Sequence, residues 1–361
     1  MDCPRRLPRR TVASASPYAR NRPARTAVAR ATATSSRRLA SQVRRRCRQL
    51  ERELQASRDR VRWLEQRLED AEGCAVPVRV PRKRIKVLQK DKYVNALAWR
   101  SDGLLASGTD SDCDCRADDT HLAVWRDGKC VWSKRSRGEE THIEALAWSR
   151  DGVLASGGGG NKIMLWRETP AGSFERTHVL DSDTKGTVWA LAWSSDGVLA
   201  SGGEDGSIRL WKGGRCIGTL TGHTGAVHAL AWHSDGLLAS GGKDSLIKLW
   251  KGGECINTLD SHTDIVWALA WSSDGVLASG SYDATIKLWK NFDWPTTIVG
   301  HYDGVKSIAW RSDGLLATAG NDDSAKLWWD EKCVATIEGM TVAWSSDGVL
   351  ASGMMELSLW A

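Results

Sequence analysis

The stretch from Val266 to Trp289, VWALAWSSDGVLASGSYDATIKLW, recurs seven times along the chain, and no other feature restricts the fold as tightly. Its first tryptophan returns at Trp99, Trp148, Trp193, Trp232, Trp271, Trp310 and Trp344. Its second returns at Trp125, Trp166, Trp211, Trp250, Trp289, Trp328 and Trp360. Fourteen of the twenty tryptophans thus obey one pattern, spaced at 39 residues through the middle repeats. A period of that size points to an architecture in which each unit buries its apolar surface only against its neighbours.

Within a unit, VxALAW alternates and carries β-branched and aromatic residues, and Ser-Asp-Gly makes a tight turn into VLASG or LLASG. A second turn around Asp205, Asp244 or Asp283 leads into IxLW, and a Gly-Gly pair leads into CIxTL. That makes four short strands per unit, with no helical period between residues 90 and 361. A four-stranded meander cannot bury both faces alone, so the units must stack. Seven stacked units close into a ring, which predicts an all-β, seven-bladed β-propeller over residues 84–361. The last repeat stops after its third strand, while a lone strand at Ile85–Leu88 precedes the first. That strand is expected to complete the last blade and to remove exposed sheet edges.

The repeats resemble the WD-repeat (WD40) family, whose signature is a Gly-His pair, an inner strand, a Ser/Thr on the second strand, an Asp in the hairpin and a Trp on the third. Three repeats carry all four residues: His223, Ser240, Asp244 and Trp250; His262, Ser279, Asp283 and Trp289; His301, Thr318, Asp322 and Trp328. The closing Trp-Asp is replaced by Trp-Lys or Trp-Arg in five of the seven units, a change expected at the surface. His, Asp and Ser also spell a hydrolase triad. The trio occurs three times at equivalent positions, however, which suits a buried hydrogen-bonded strut and not one active site.

The net charge of +6 hides an asymmetry: residues 1–50 hold fourteen Arg and one acid, giving +13 and leaving −7 for the rest. Residues 1–38 have almost no large apolar side chain and cannot bury enough surface to fold. Their composition also fits a transit peptide or an arm for nucleic acid, although Tyr18 is the one aromatic available for stacking. Residues 39–72 read as a helix. Taking Cys47 as position a, the a sites are Cys47, Leu54, Val61 and Leu68, and the d sites include Val43, Leu50 and Leu64, with a weak spot at Ser57. The g-to-e pairs Arg46–Glu51, Glu53–Arg58, Arg60–Glu65 and Arg67–Glu72 are all opposite in sign, which favours a parallel self-associated coiled coil. A single amphipathic helix would show a similar stripe without needing the charge pairing. Gly73, Pro77 and Pro81 make residues 73–83 a short linker.

The first repeat carries an acidic insertion, Asp110 to Thr120, with Cys113, Cys115 and His121 close by. The spacing lacks a second ligand pair, so a solvated loop is expected in preference to zinc, and no metal or other cofactor is assigned. Repeat two has Glu139 and Gly160 where His and Asp stand in the signature, repeat three has Thr184, and repeat seven has a short hairpin at Met354–Met355. The irregular sector is therefore expected to be the softest. Nine cysteines, an odd number, argue against a secreted disulfide framework. Cys130, Cys216, Cys255 and Cys333 share one position and read as small buried hydrophobes in a reducing, intracellular and most simply cytoplasmic setting. No run of 18 apolar residues offers a membrane-spanning helix.

The resemblance implies protein binding on the face formed by loops entering the inner strands. Carried over, one ring of positions is Asn95, Glu144, Trp189, His228, Trp267, Lys306 and Met340. A second is Tyr93, His142, Thr187, Ala226, Ile265, Gly304 and Glu338, and the hairpins add Glu204, Lys243, Tyr282 and Asn321. These positions differ among otherwise near-identical repeats, and Trp189 and Trp267 read as exposed anchors. No phosphate-binding loop or other catalytic motif appears, so an enzyme is not expected. The expected function is an interaction scaffold, oligomerised by the coiled coil and recruiting a protein partner on this face. The alternatives are a ubiquitin-ligase substrate receptor, whose Trp-Asp-x-Arg motif is approached only by Trp329-Asp330-Glu331-Lys332, and a nucleic-acid-associated propeller guided by the basic arm.

Overall fold

The structure is a computed structural model that describes residues 79–90, 92–109, 122–134, 142–182, 186–292 and 294–361. The basic tail, the proposed coiled-coil residues, Glu139, Thr184 and the Cys113/Cys115/His121 loop lie outside the described residues.

Among the described residues the strands form seven four-stranded antiparallel sheets, six of them meanders in sequence order and the seventh completed by the first strand. Blades one to seven begin at Val94, Ile143, Val188, Val227, Val266, Val305 and Thr341. Blade four shows the plan: Val227–Trp232 is innermost, followed by Leu238–Gly242, Leu246–Lys251 and Glu254–Asp260. The LASGG strand is buried along its whole length because neighbouring blades cover both of its faces. The outer strand keeps Leu259 buried and leaves most of its other residues in solvent.

The core lies between blades, not within them. Leu249 and Leu259 of blade four pack against Val266, Leu277 and Trp289 of blade five, and the other junctions repeat the arrangement. The small residues of LASGG permit this approach: a Cβ on Gly241 would fall 2.5 Å from Val266 Cγ1. The first tryptophans stitch the blades with polar contacts. Trp148, Trp232 and Trp271 donate Nε1–H to the Ala98, Ala192 and Ala231 carbonyls of the preceding blade at 3.1–3.2 Å, and Trp99 closes the ring onto Ala343 at 3.1 Å.

The strand read at Ile85–Leu88 spans Arg84–Lys90 and forms the outer strand of blade seven, antiparallel to Glu356–Trp360. Arg84 Nη1 also pairs with Glu356 at 3.2 Å. One expectation fails. Cys130, Cys216 and Cys255 are exposed and Cys333 is half-buried. They open the outer strand, whose outward side has no neighbouring blade, and each thiol donates to the carbonyl two residues on, at 3.4–3.5 Å.

Candidate functional site

The signature residues of blades four, five and six form a continuous relay. Trp250 Nε1–H donates to Ser240 Oγ at 2.8 Å, Ser240 Oγ lies 2.7 Å from His223 Nε2, and His223 Nδ1 lies 2.9 Å from Asp244. Blade five repeats it with Trp289–Ser279 at 2.9 Å, Ser279–His262 at 2.8 Å and His262–Asp283 at 2.8 Å. Blade six does so with Trp328–Thr318 at 2.8 Å, Thr318–His301 at 2.8 Å and His301–Asp322 at 3.0 Å. Because the ionised carboxylate can only accept, a neutral imidazole gives it Nδ1–H, and the bare Nε2 then accepts from the hydroxyl, which in turn accepts the indole N–H. Burial accordingly holds His223 and His301 below the usual imidazole range, against the pull of Asp244 and Asp322. Burial would raise the Asp322 carboxyl, but His301, Ser324 and the Tyr302 amide outweigh it and hold it at about 2. The geometry is that of a hydrolase triad, yet Ser240, Ser279 and Thr318 are wholly buried and already accept from an indole. These relays brace hairpins. Blades one, two, three and seven keep the Trp-to-Ser bond alone among described residues, at 2.8–2.9 Å.

A second constellation lies at the top of the inner strands. In six blades the pairing of innermost and second strands skips one residue, as between Val227↔Gly242 and Ala229↔Gly241. The skipped residues are Asn95, Glu144, Trp189, His228, Trp267 and Lys306. A bulge frees its extra residue from the ladder and re-aims the side chain. All six, with Tyr93 and Met340, line one central cavity of about 440 Å³. Alternation alone did not signal this bulge.

The lining is not uniform. His228 stacks on Trp267 with centroids 4.3 Å apart, and Trp189 meets Trp267 edge-on at 5.8 Å. Tyr282 flanks Trp267 at 5.1 Å, and Lys306 Nζ lies 5.7 Å from its ring centroid. Trp189 donates to Glu204 at 2.7 Å, and Asn95 donates to Glu144 at 3.2 Å. Trp189 of blade three and Trp267 of blade five are thus half-buried against each other and against His228 of the blade between them, not the exposed anchors expected. His228 is 8% exposed; burial pushes its imidazole down to about 4, with the Glu204 carboxylate opposing and Lys243 reinforcing. No group of metal-ligating side chains occurs among the described residues.

The WD domain, G-beta repeat family matches residues 174–212, 214–251, 253–290 and 294–328. Each match starts at or near an outer strand and ends at the third strand of the next blade, the same offset that carries Arg84–Lys90 into blade seven. Residues 174–328 carry four WD40 repeats, set in a seven-bladed β-propeller. Among solved structures it is similar to the WD40 β-propeller domain of Doa1, at 24% identity and a TM-score of 0.64 over 76% of this chain and 95% of that one. That likeness concerns the fold. No curated protein sequence matches the chain.

Other expected face positions of the WD40 propeller scatter. Ala226 and Gly304 are buried, since their carbonyls accept from Lys243 and Asn321 amides where the hairpin folds over them. Thr187, Ile265 and Asn321 are half-buried and Glu338 is exposed; none of the four lines the central cavity. His142 instead packs beside Gly157–Gly159.

Proposed function

We propose that this WD40 propeller is a non-enzymatic scaffold that recruits a protein partner across its central face, with residues 39–72 driving self-association. The observation supporting it is that six bulges converge non-repeating side chains on one cavity while the strands carrying them repeat almost residue for residue. An interaction surface is where identical repeats diverge, and aromatic side chains beside charges are typical binding anchors. Trp267 is the centre of the partner-binding set Tyr93, Asn95, His142, Glu144, Trp189, Glu204, His228, Lys243, Ile265, Trp267, Tyr282, Lys306, Asn321 and Met340.

The test uses the full chain and two variants. Trp189→Ala/Trp267→Ala should lose a partner captured from lysate by wild type while keeping its melting temperature within a few degrees. Arg60→Glu/Arg67→Glu should leave the propeller intact and lower the mass measured by light scattering. An unchanged eluate from the first variant removes the face assignment, and a wild-type monomer removes the coiled coil.

A further inference from the structure

The chain contains two phenylalanines, and both occupy the same place in different blades. Phe174 and Phe292 each precede by two residues the position at which the outer strand of blade four carries Cys255. Each ring stands 5.9 Å from the first tryptophan of its own blade, Trp148 or Trp271, and packs into the cleft against the preceding blade. These clefts open on the face opposite the central aromatic cavity, where the strand directions place the first-tryptophan ends and the third hairpin turns.

The equivalent positions in other blades are covered differently. A Cβ on Gly128 would fall 2.6 Å from the Lys86 side chain, and one on Gly214 would fall 2.6 Å from the His178 ring. Blade six has Glu331 there. Blade four has Gly253, and neither Gly252 nor Gly253 has any atom within 4 Å of a built Cβ. Where the plug is missing, a cavity of about 510 Å³ opens between blades three and four, walled by Trp232, Trp250, Leu210, Ile217 and Leu220. A space of roughly 300–1,000 Å³ is that of a ligand site, far beyond the ~30 Å³ of one water.

The charged residues lining it, among those described, are Asp196 and Asp235, with side chains 69% and 50% exposed at the rim. Their lysine partners are distant, Lys212 at 3.8 Å and Lys251 at 3.5 Å, and Asp235 also meets His233 Nδ1 at 2.7 Å. Exposed pairs of this kind are weak, so an incoming cation can displace the lysines.

We propose that this cleft binds an aromatic side chain of a protein partner, flanked by positive charge, with the ring standing where Phe174 and Phe292 stand in blades two and five. The surface is separate from the central face and does not depend on the function assigned to it.

The probe is a dye-labelled peptide, Arg-Gly-Phe-Gly-Arg, titrated with the full chain and read by fluorescence anisotropy. Binding is expected with a Kd below about 1 mM, at least tenfold weaker when the peptide's Phe is replaced by Ala or its Arg residues by Glu. Gly252→Asn/Gly253→Phe, which transplants the blade-five Asn291-Phe292 pair, should abolish binding; both positions have positive φ, so the melting temperature should fall, by no more than several degrees. Ile217→Lys, at a site 57% exposed and hence tolerant, provides a second block of the mouth and should weaken binding at least tenfold. No binding to wild type at 1 mM, or binding indifferent to the peptide's Phe or to both cleft variants, overturns the proposal.

Discussion

Asp283 accepts from the His262 ring at 2.8 Å, from the Thr263 amide at 3.0 Å, and from the Thr285 amide and hydroxyl at 2.9 and 2.6 Å. Asp283→Ala strands these donors at a buried hairpin, and each unsatisfied buried group costs about 1–3 kcal/mol. The variant should lose about 2–4 kcal/mol and melt several degrees lower. Asp205→Ala is the control: its carboxylate accepts from Ser207 and Arg209 with no imidazole in the set, so the loss should be smaller than for Asp283→Ala. Acid should act through the same residues. His223, His228 and His301 have folded-state pKa values below their unfolded ones, so the unfolded chain binds more protons as pH falls. Their contribution is complete above pH ~6.5 and is lost on acidification, for His228 between about 6.5 and about 4. Depressed carboxylates such as Asp322 have the same sign lower down, their contribution disappearing as pH falls through about 2. Urea midpoints should hold from pH 8 to 7 and drop from 6.5 to 4.5, and His228→Phe should flatten part of that drop.

At the scale of elements, the turn between third and outer strands sets two consecutive residues at positive φ. Gly252 and Gly253 have φ of 62° and 92°; blade six puts Asp330 and Glu331 there, at 49° and 66°. A left-handed conformation costs an L-residue about 1–2 kcal/mol, and glycine avoids it at some entropic cost. Asp330→Gly/Glu331→Gly should therefore stabilise the domain by about 1 kcal/mol and raise its melting temperature by roughly 2–4 °C. The strands themselves were legible because alternation, Ser-Asp-Gly turns and tryptophan spacing all depend on nearest neighbours in sequence. The bulge was not. It arises from pairing VxALAW with LASGG, and no property of either strand alone marks which residue the ladder skips.

The whole molecule depends on its closure. Arg84–Lys90 adds a seven-residue strand, five residues of it paired, to blade seven and brings Leu88 onto the cluster of Ala351, Leu357 and Leu359. Deleting residues 84–90 would strip the outer edge from that blade, which stands between blades six and one. The expected outcome is a lower and broader thermal transition with early proteolysis near residues 356–361. Arg84→Ala should change stability by less than about 1 kcal/mol, because its ion pair with Glu356 is largely exposed. Local period and turn chemistry in the sequence determined the strand content, the number of repeats and the closing strand, and the resemblance to the WD-repeat signature pointed to the residues of the three buried relays. The tertiary structure decided which side chains share a space. It half-buried Trp189 and Trp267 against His228, left three cysteines exposed and a fourth half-buried, covered Ala226 and Gly304, and left the cleft between blades three and four open. Those outcomes depend on contacts between residues far apart in sequence, within a blade or between blades, and a strand read by itself carries no record of what its neighbours present.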